Sequence, residues 1–204
     1  ILSKIYSLQH KTLKGNATWA LGIVTGNNPL YIKDKKDRWN EPVIKGKDIS
    51  PFIITPPDTF IKFEPERFQQ TADVNFYRCS EKLIYRYISN RLIFACDRNQ
   101  RVTLNSANIL IPKLDGVDMR IIMALFNSEL YQYIFQKRFS SVKVLRSHLE
   151  ELPVPALSGS HCQSIIRLVE DIKTGSSIDL LNEFIYKIYK LNKSEIDHIK
   201  SRVK

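Results

Sequence analysis

Three carboxylates, Asp58, Glu64 and Glu66, lie close together just after the Pro56-Pro57 pair. Acids clustered with a lysine can hold a divalent metal and activate water, the chemistry of a metal-dependent nuclease. No Glu-x-Lys follows them, so a turn leading into a strand is the simpler reading and a divergent nuclease the alternative. Methyl transfer from S-adenosylmethionine would need a glycine-rich turn between a strand and a helix. The seven glycines are scattered instead at 15, 22, 26, 46, 116, 159 and 175, and Gly22-x-x-x-Gly26 in a strand-like run is a poor phosphate loop on its own. The Asn/Asp-Pro-Pro-aromatic loop that holds a target amine is missing too, since the Pro-Pro pair sits in Thr55-Pro56-Pro57-Asp58. His10, His148, His161 and His198 have no partners at catalytic or metal spacing, and Cys79, Cys96 and Cys162 form no Cys-x-x-Cys pair. The chain shows no catalytic apparatus of its own.

What it does show is a set of groups suited to phosphates and base edges. Residues 33–47 carry Lys33, Lys35, Lys36, Arg38, Lys45 and Lys47, and residues 136–148 carry Lys137, Arg138, Lys143 and Arg146 with no acid among them. Between these, residues 78–113 hold Arg78, Lys82, Arg86, Arg91, Arg98, Arg101 and Lys113 against Glu81 and Asp97. Lysine and hydroxyl side chains position phosphates, while Arg, Asn and Gln can offer paired donors or acceptors to bases. The candidate DNA contacts are therefore Asn27, Asn28, Lys45, Lys47, Arg91, Arg98, Asn99, Gln100, Arg101, Lys137, Arg138, Ser140, Ser141, Lys143 and Arg146. For this to work, the basic segments must gather on a common face. A solvated hairpin turn is the plain alternative for Arg98-Asn99-Gln100-Arg101.

The elements that must position these groups change in texture along the chain. Residues 1–14 suit a short amphipathic helix or a tether. From Ala20 to Pro112 short β-branched and aromatic runs alternate with Gly, Pro, Asn and Asp; WALGIVTG, PLYIK, PVIKG, PFIIT, TFIKF, NFYRC, KLIYRYI, RLIFACD and NILIP each suit a strand. Residues 119–138 place Ile122, Leu125, Phe126, Leu130, Tyr133 and Ile134 at helical spacing, which predicts one long amphipathic helix. Leu152-Pro153-Val154-Pro155 breaks the chain before helices over 162–173 and 178–190 and a last one starting at Ser194, with Asp197 reaching back. The expected class is α+β: an irregular β-rich target-recognition body over 1–156 with a long packed helix, then a C-terminal helical segment over 157–204.

Bulk properties agree with a folded nucleic-acid partner. Hydrophobic residues are 43% and charged residues 25% of 204, which favours a globular chain over a disordered one. Lys and Arg number 31 against 21 acids, a formal charge of +10 that calls for a polyanion or an anionic surface. Sparse cysteines suggest a reducing, cytoplasmic setting, and no apolar run is long enough to span a membrane. A start at Ile1 rather than Met reads as a piece of a longer protein.

In order, GIVTGNNPLYI (22–32), PVIKGKDISPF (42–52), KLIYRYISNRLIFACDRNQRVTLNSANILIP (82–112), ALFNSELYQYIFQKRF (124–139), LRSHLEELPVP (145–155) and LNEFIYKIYKLNKSEID (181–197) resemble the TaqI-like C-terminal specificity domain. That domain closes type IIG restriction enzymes and related adenine-specific DNA methyltransferases. The resemblance implies a non-catalytic reader of double-stranded DNA, partnered by a methyltransferase domain of the parent chain. It implies no cofactor in this piece, S-adenosylmethionine in the parent, and Mg²⁺ there if the parent cleaves. An interaction module docking through Leu181–Tyr189, with its basic face on RNA or an acidic protein, stays as a further alternative.

Overall fold

The computed structural model describes residues 1–203. Among them, α1 (Leu2–Ser7), β1 (His10–Lys11) and β2 (Ala17–Ala20) come first, followed by α2 (Asn28–Tyr31), β3 (Ile32–Lys33) and β4 (Glu41–Ile44). Next are β5 (Ile49–Ser50), β6 (Ile53–Ile54), β7 (Phe60–Ile61), α3 (Val74–Tyr77), β8 (Lys82–Arg86), β9 (Phe94–Asp97), β10 (Val102–Thr103) and β11 (Ala107–Pro112). The remainder is α4 (Met119–Asn127), α5 (Glu129–Phe139), α6 (Arg146–Glu150), β12 (Val154–Pro155), α7 (Gly159–Lys173), α8 (Asp179–Ile188) and α9 (Lys193–Arg202). The class is α+β, and no helix of the described residues is long and apolar enough to cross a membrane.

The central sheet has the order β2-β11-β8-β9, all antiparallel, and is buried on both faces. Side chains alternate across a strand, so Leu83, Tyr85, Phe94 and Leu110 enter the core shared with the helices, while Ile84, Ala95 and Ala107 pack the other way with Ile44 and Ile49. Two-sided burial explains why KLIYRYI and NILIP are almost continuously apolar. A second sheet, β10-β4-β7-β3, pairs β10 with β4 in parallel, Val102 opposite Val43. Its core holds Tyr31, Val43, Ile61, Phe68 and Tyr77.

The helices close the free edge of β9 with amides. Asn127 accepts from Phe94 N at 2.9 Å and donates to Phe94 O at 2.8 Å, and Gln132 does the same for Leu92 at 2.9 Å in both directions. Two buried carboxamides thus replace a missing neighbouring strand. Helices α7 to α9 add Ile165, Val169, Leu181, Ile185 and Ile199 to this same core, and Tyr189 shares a hydroxyl contact of 2.7 Å with Tyr131. The Leu181–Tyr189 face is therefore spent inside the molecule, and β1 pairs with β12 to bring residue 10 against 155.

Four local expectations are corrected. The single helix over 119–138 is two, because Ser128 is extended (φ −72°, ψ 153°) and its hydroxyl donates to Leu125 O while capping Tyr131 N. The run NFYRC is not a strand but contains α3, capped by Asp73, and PLYIK opens as α2, capped by Asn27. Side-chain caps outbid β-propensity in these short segments. Likewise, the last helix is capped by Asn192 with Glu195 reciprocating, not by Ser194 with Asp197.

One buried ion pair holds the sheet's far end. Lys82 Nζ and Asp97 Oδ2 are 2.7 Å apart and neither side chain is exposed. Burial opposes ionisation of Asp97, yet the Lys82 ammonium and the Arg101 guanidinium hold its carboxyl below the usual range. A depressed folded pKa stabilises fully above the unfolded value, roughly pH 4, and that contribution is lost as pH falls. Urea midpoints measured at pH 7 and pH 3 should therefore drop further for the wild type than for Asp97→Asn; equal drops would rule this out.

Candidate nucleic-acid interface

Three adjoining depressions run as one groove along the side of the central sheet. The first, about 350 Å³, is lined by Thr25, Asn27, Asn28 and Asn105 among others. It shares Val24 and Asn105 with a second of about 240 Å³ that adds Leu21, Gln70, Tyr87, Ile88 and Asn108. The second shares Leu21, Tyr87 and Asn108 with a third of about 330 Å³, which reaches Trp19, Leu145 and Arg146.

Non-local backbone contacts assemble it. Residue 23 bridges 104 in parallel and residue 24 bridges 70 in antiparallel fashion. Ile23 N donates to Thr103 O at 2.7 Å and Asn105 N to Ile23 O at 3.0 Å. Gly22 permits this approach: a Cβ there would lie 2.1 Å from Leu104 O. Its N–H donates to Asn108 Oδ1 at 3.0 Å, which fixes that amide's orientation. At the other rim Ile88 bridges Lys143, Ser89 N donates to Val142 O at 3.0 Å and Val144 N to Tyr87 O at 2.8 Å. Segments 87–91 and 141–146 are thereby laced together.

Of the expected contact residues, Asn27, Asn28 and Arg146 line this groove, and others stand on the segments beside it. Asn27 and Asn28 line its first part, although the Asn27 carboxamide also accepts from Leu30 N and Asn28 Oδ1 from the Thr25 hydroxyl at 2.6 Å. Lys143 stands at the rim with its ammonium 5.7 Å from the Tyr87 ring. Arg146 lies 5.8 Å over Trp19, steadied by Glu150 at 2.7 Å. Arg91 is exposed on the 87–91 segment, and Ser141 Oγ turns back onto Lys143 N. Lys45 and Lys47 flank Gly46, whose N–H donates to Ser106 Oγ at 2.9 Å beside the Asn105 turn.

Other candidates lie elsewhere. Arg98, Asn99, Gln100 and Arg101 form a turn at the Lys82 end of β8, which β-strand rise puts about 17 Å from Tyr87. That turn is pinned by Asp97, which accepts from Asn99 N, Arg101 N and Arg101 Nε, while Arg98 pairs with Glu81 at 2.6 Å. Lys137, Arg138 and Ser140 sit at the end of α5, where Arg138 pairs with Glu151 at 2.7 Å and lies over Tyr6. Two of the three nuclease acids are engaged as well: Asp58 with Lys47 at 2.8 Å and Glu64 with Lys62 at 2.6 Å. Among the described residues no three His, Cys, Asp or Glu side chains come together as metal ligands. The groove's Gln70, Asn105, Asn108, Tyr87, Ile88, Leu21 and Trp19 were not singled out from sequence, because amides and aromatics so far apart give no local signal.

Residues 41–154, more than half of the chain, match the TaqI-like C-terminal specificity domain. The chain belongs to this family. The specificity domain is also similar to the Type II methyltransferase M.VspI of Vibrio sp. (strain 343), 46% identical over 50 residues, which are 24% of this chain and 12% of that protein. In fold it is similar to the Type IIL restriction-modification enzyme MmeI, solved in complex with DNA, with a TM-score of 0.65 over 94% of this chain and 35% of that one at 9% identity. A type I restriction-modification assembly matches with a TM-score of 0.52 over 95% of this chain and 45% of the other at 14% identity. The HsdS subunit from Thermoanaerobacter tengcongensis gives 0.50 over 89% and 44% at 15% identity. The chain spans less than half the length of each. Within the specificity domain, the family match includes Gln70, Tyr87, Asn105 and Arg146 but starts after Leu21, Asn27 and Asn28, so the groove is completed by residues that precede the matched region.

Proposed function

We propose that this specificity domain is the DNA-reading part of a restriction-modification enzyme, holding a specific duplex in the groove from Asn27–Asn28 to Arg146. The duplex is thereby presented to an adenine-N6 methyltransferase domain of the parent chain, in the cytoplasm. The observation that carries this reading is the groove itself: amides line it, Arg146 lines its far end, and Lys143 stands beside its Tyr87 and Ile88 wall. Amides can read base edges and rim cations can neutralise phosphates, the division of labour that sequence-specific binding needs. Adenine must be rotated out of the stack to be methylated, so a rigid grip on the flanking duplex is the part a reader supplies. S-adenosylmethionine, and Mg²⁺ if the parent cleaves, belong in this reading to the neighbouring catalytic domain.

A fluorescence anisotropy titration of the full-length protein on its preferred duplex, repeated across salt concentrations, tests it. Lys143→Ala together with Arg146→Ala should lower the slope of log affinity against log salt by about two, roughly one per phosphate contact. Affinity should fall similarly for preferred and scrambled duplexes. A slope unchanged by the double substitution, or no salt-dependent binding at all, would sink the reading.

A further inference from the structure

The middle of the groove differs in chemistry from its ends. The residues lining its depression of about 240 Å³ include no Asp, Glu, Lys or Arg. Two carboxamides, Gln70 and Asn105, are exposed there beside two aliphatic side chains, Leu21 at 51% and Ile88 at 66% exposure. The backbone of each residue is fixed, Gln70 by paired hydrogen bonds with Val24 and Asn105 by one to Ile23, and the carboxamides project from these anchored positions. Aliphatic side chains left in water next to amides, with cations only at the rim, do not suit phosphate. They do suit one base pair. Adenine presents N7 as acceptor and N6 as donor in the major groove, the complement of a carboxamide, and its partner thymine carries a C5 methyl group in the same groove. Guanine presents two acceptors, which call for an arginine, and none lines this segment. Resting on the duplex-binding reading above, we infer that the middle of the groove reads an A·T base pair from the major-groove side. Gln70 and Asn105 face the adenine, and Ile88 with Leu21 covers the thymine methyl.

The full-length protein should first select its preferred duplexes from a randomised library. These are then remade with each thymine in turn replaced by deoxyuridine and each adenine by 7-deazaadenine. At one thymine, loss of the methyl should weaken binding about fourfold, the worth of one buried carbon. At the paired adenine, loss of N7 should weaken it about fivefold, as for one lost hydrogen bond. Ile88→Ala with Leu21→Ala should erase the deoxyuridine penalty and leave the salt dependence unchanged; both side chains are exposed, so the core is untouched. Gln70→Ala with Asn105→Ala should erase the 7-deazaadenine penalty. Selected sites lacking an invariant A·T pair, no penalty at any thymine, or a penalty that survives the double substitution overturns the inference while duplex binding stands. If no sequence is selected, the duplex-reading proposal itself fails.

Discussion

Asp97→Ala is expected to remove about 3–5 kcal/mol of unfolding free energy, a large share of what a domain of ordinary stability has. The substitution leaves the Lys82 ammonium fully buried with only Tyr77 O, at 2.7 Å, to accept from it. It also releases Arg101, whose main-chain N–H and Nε both donate to Asp97, so the turn from Arg98 to Arg101 loses its anchor. The cost comes from stranding a charge, not from the pair being strongly favourable in itself. Lys82→Met combined with Asp97→Leu should accordingly recover most of the loss, since an apolar pair of similar volume can match a buried ion pair. Chemical denaturation followed by circular dichroism measures all three proteins. A loss below about 1 kcal/mol for Asp97→Ala would show that the site relaxes or hydrates, contrary to the geometry.

Gly22→Ala is expected to cost about 3 kcal/mol or more, the upper end for overpacking, and to abolish specific duplex binding even where the protein remains folded. A Cβ at 22 would meet Leu104 O at 2.1 Å, Leu104 C at 2.4 Å and Ala107 O at 2.7 Å, all backbone atoms that cannot swing aside. Relief requires the 20–24 segment to part from the 104–107 turn, which breaks the 23–104 bridge and moves Asn105 and Asn108 out of the groove. Gly159→Ala is the matched control, since nothing lies within 4 Å of its Cβ position and it begins α7. It should change stability by no more than about 0.5 kcal/mol. Thermal melts and anisotropy titrations on both variants decide the matter; a Gly22→Ala protein that melts and reads DNA as the wild type does would show that the close approach is not required.

The two substitutions also mark the limit of what local pattern reveals. Gly22 stands in a run, GIVTG, that looks like half a strand, and nothing around it announces a backbone carbonyl more than eighty residues away. Asp97 followed by Arg98-Asn99-Gln100-Arg101 looks like a solvated turn, and that part was legible: Asp97 does bind the turn's own N–H groups. What was not legible is that Lys82 enters the same site from β8, converting a surface turn into a buried ionic anchor. Arg98, Arg101 and Arg138 resembled free DNA contacts in sequence and are each paired with an acid in the structure. Arg146, chosen on the same grounds, is also paired with Glu150 but lines the groove, and Lys143 stands beside it against Tyr87.

The order of residues was enough for the passage from β-rich body to helices, for the apolar faces of α7 and α8, and for the cationic excess. Each of these depends on neighbours two to four residues apart or on simple counting, which the chain carries wherever it goes. Helices α4 and α5 depart from the expected amphipathic face, Ile121–Asn127 and Leu130–Phe135 being buried all round. The interruption at Ser128, the closing of the β9 edge by Asn127 and Gln132, and above all the meeting of Leu21, Gln70, Ile88 and Asn105 were decided by tertiary structure. Those depend on which distant backbones can approach each other, and that is set by packing across the whole sheet and by the absence of a side chain at position 22.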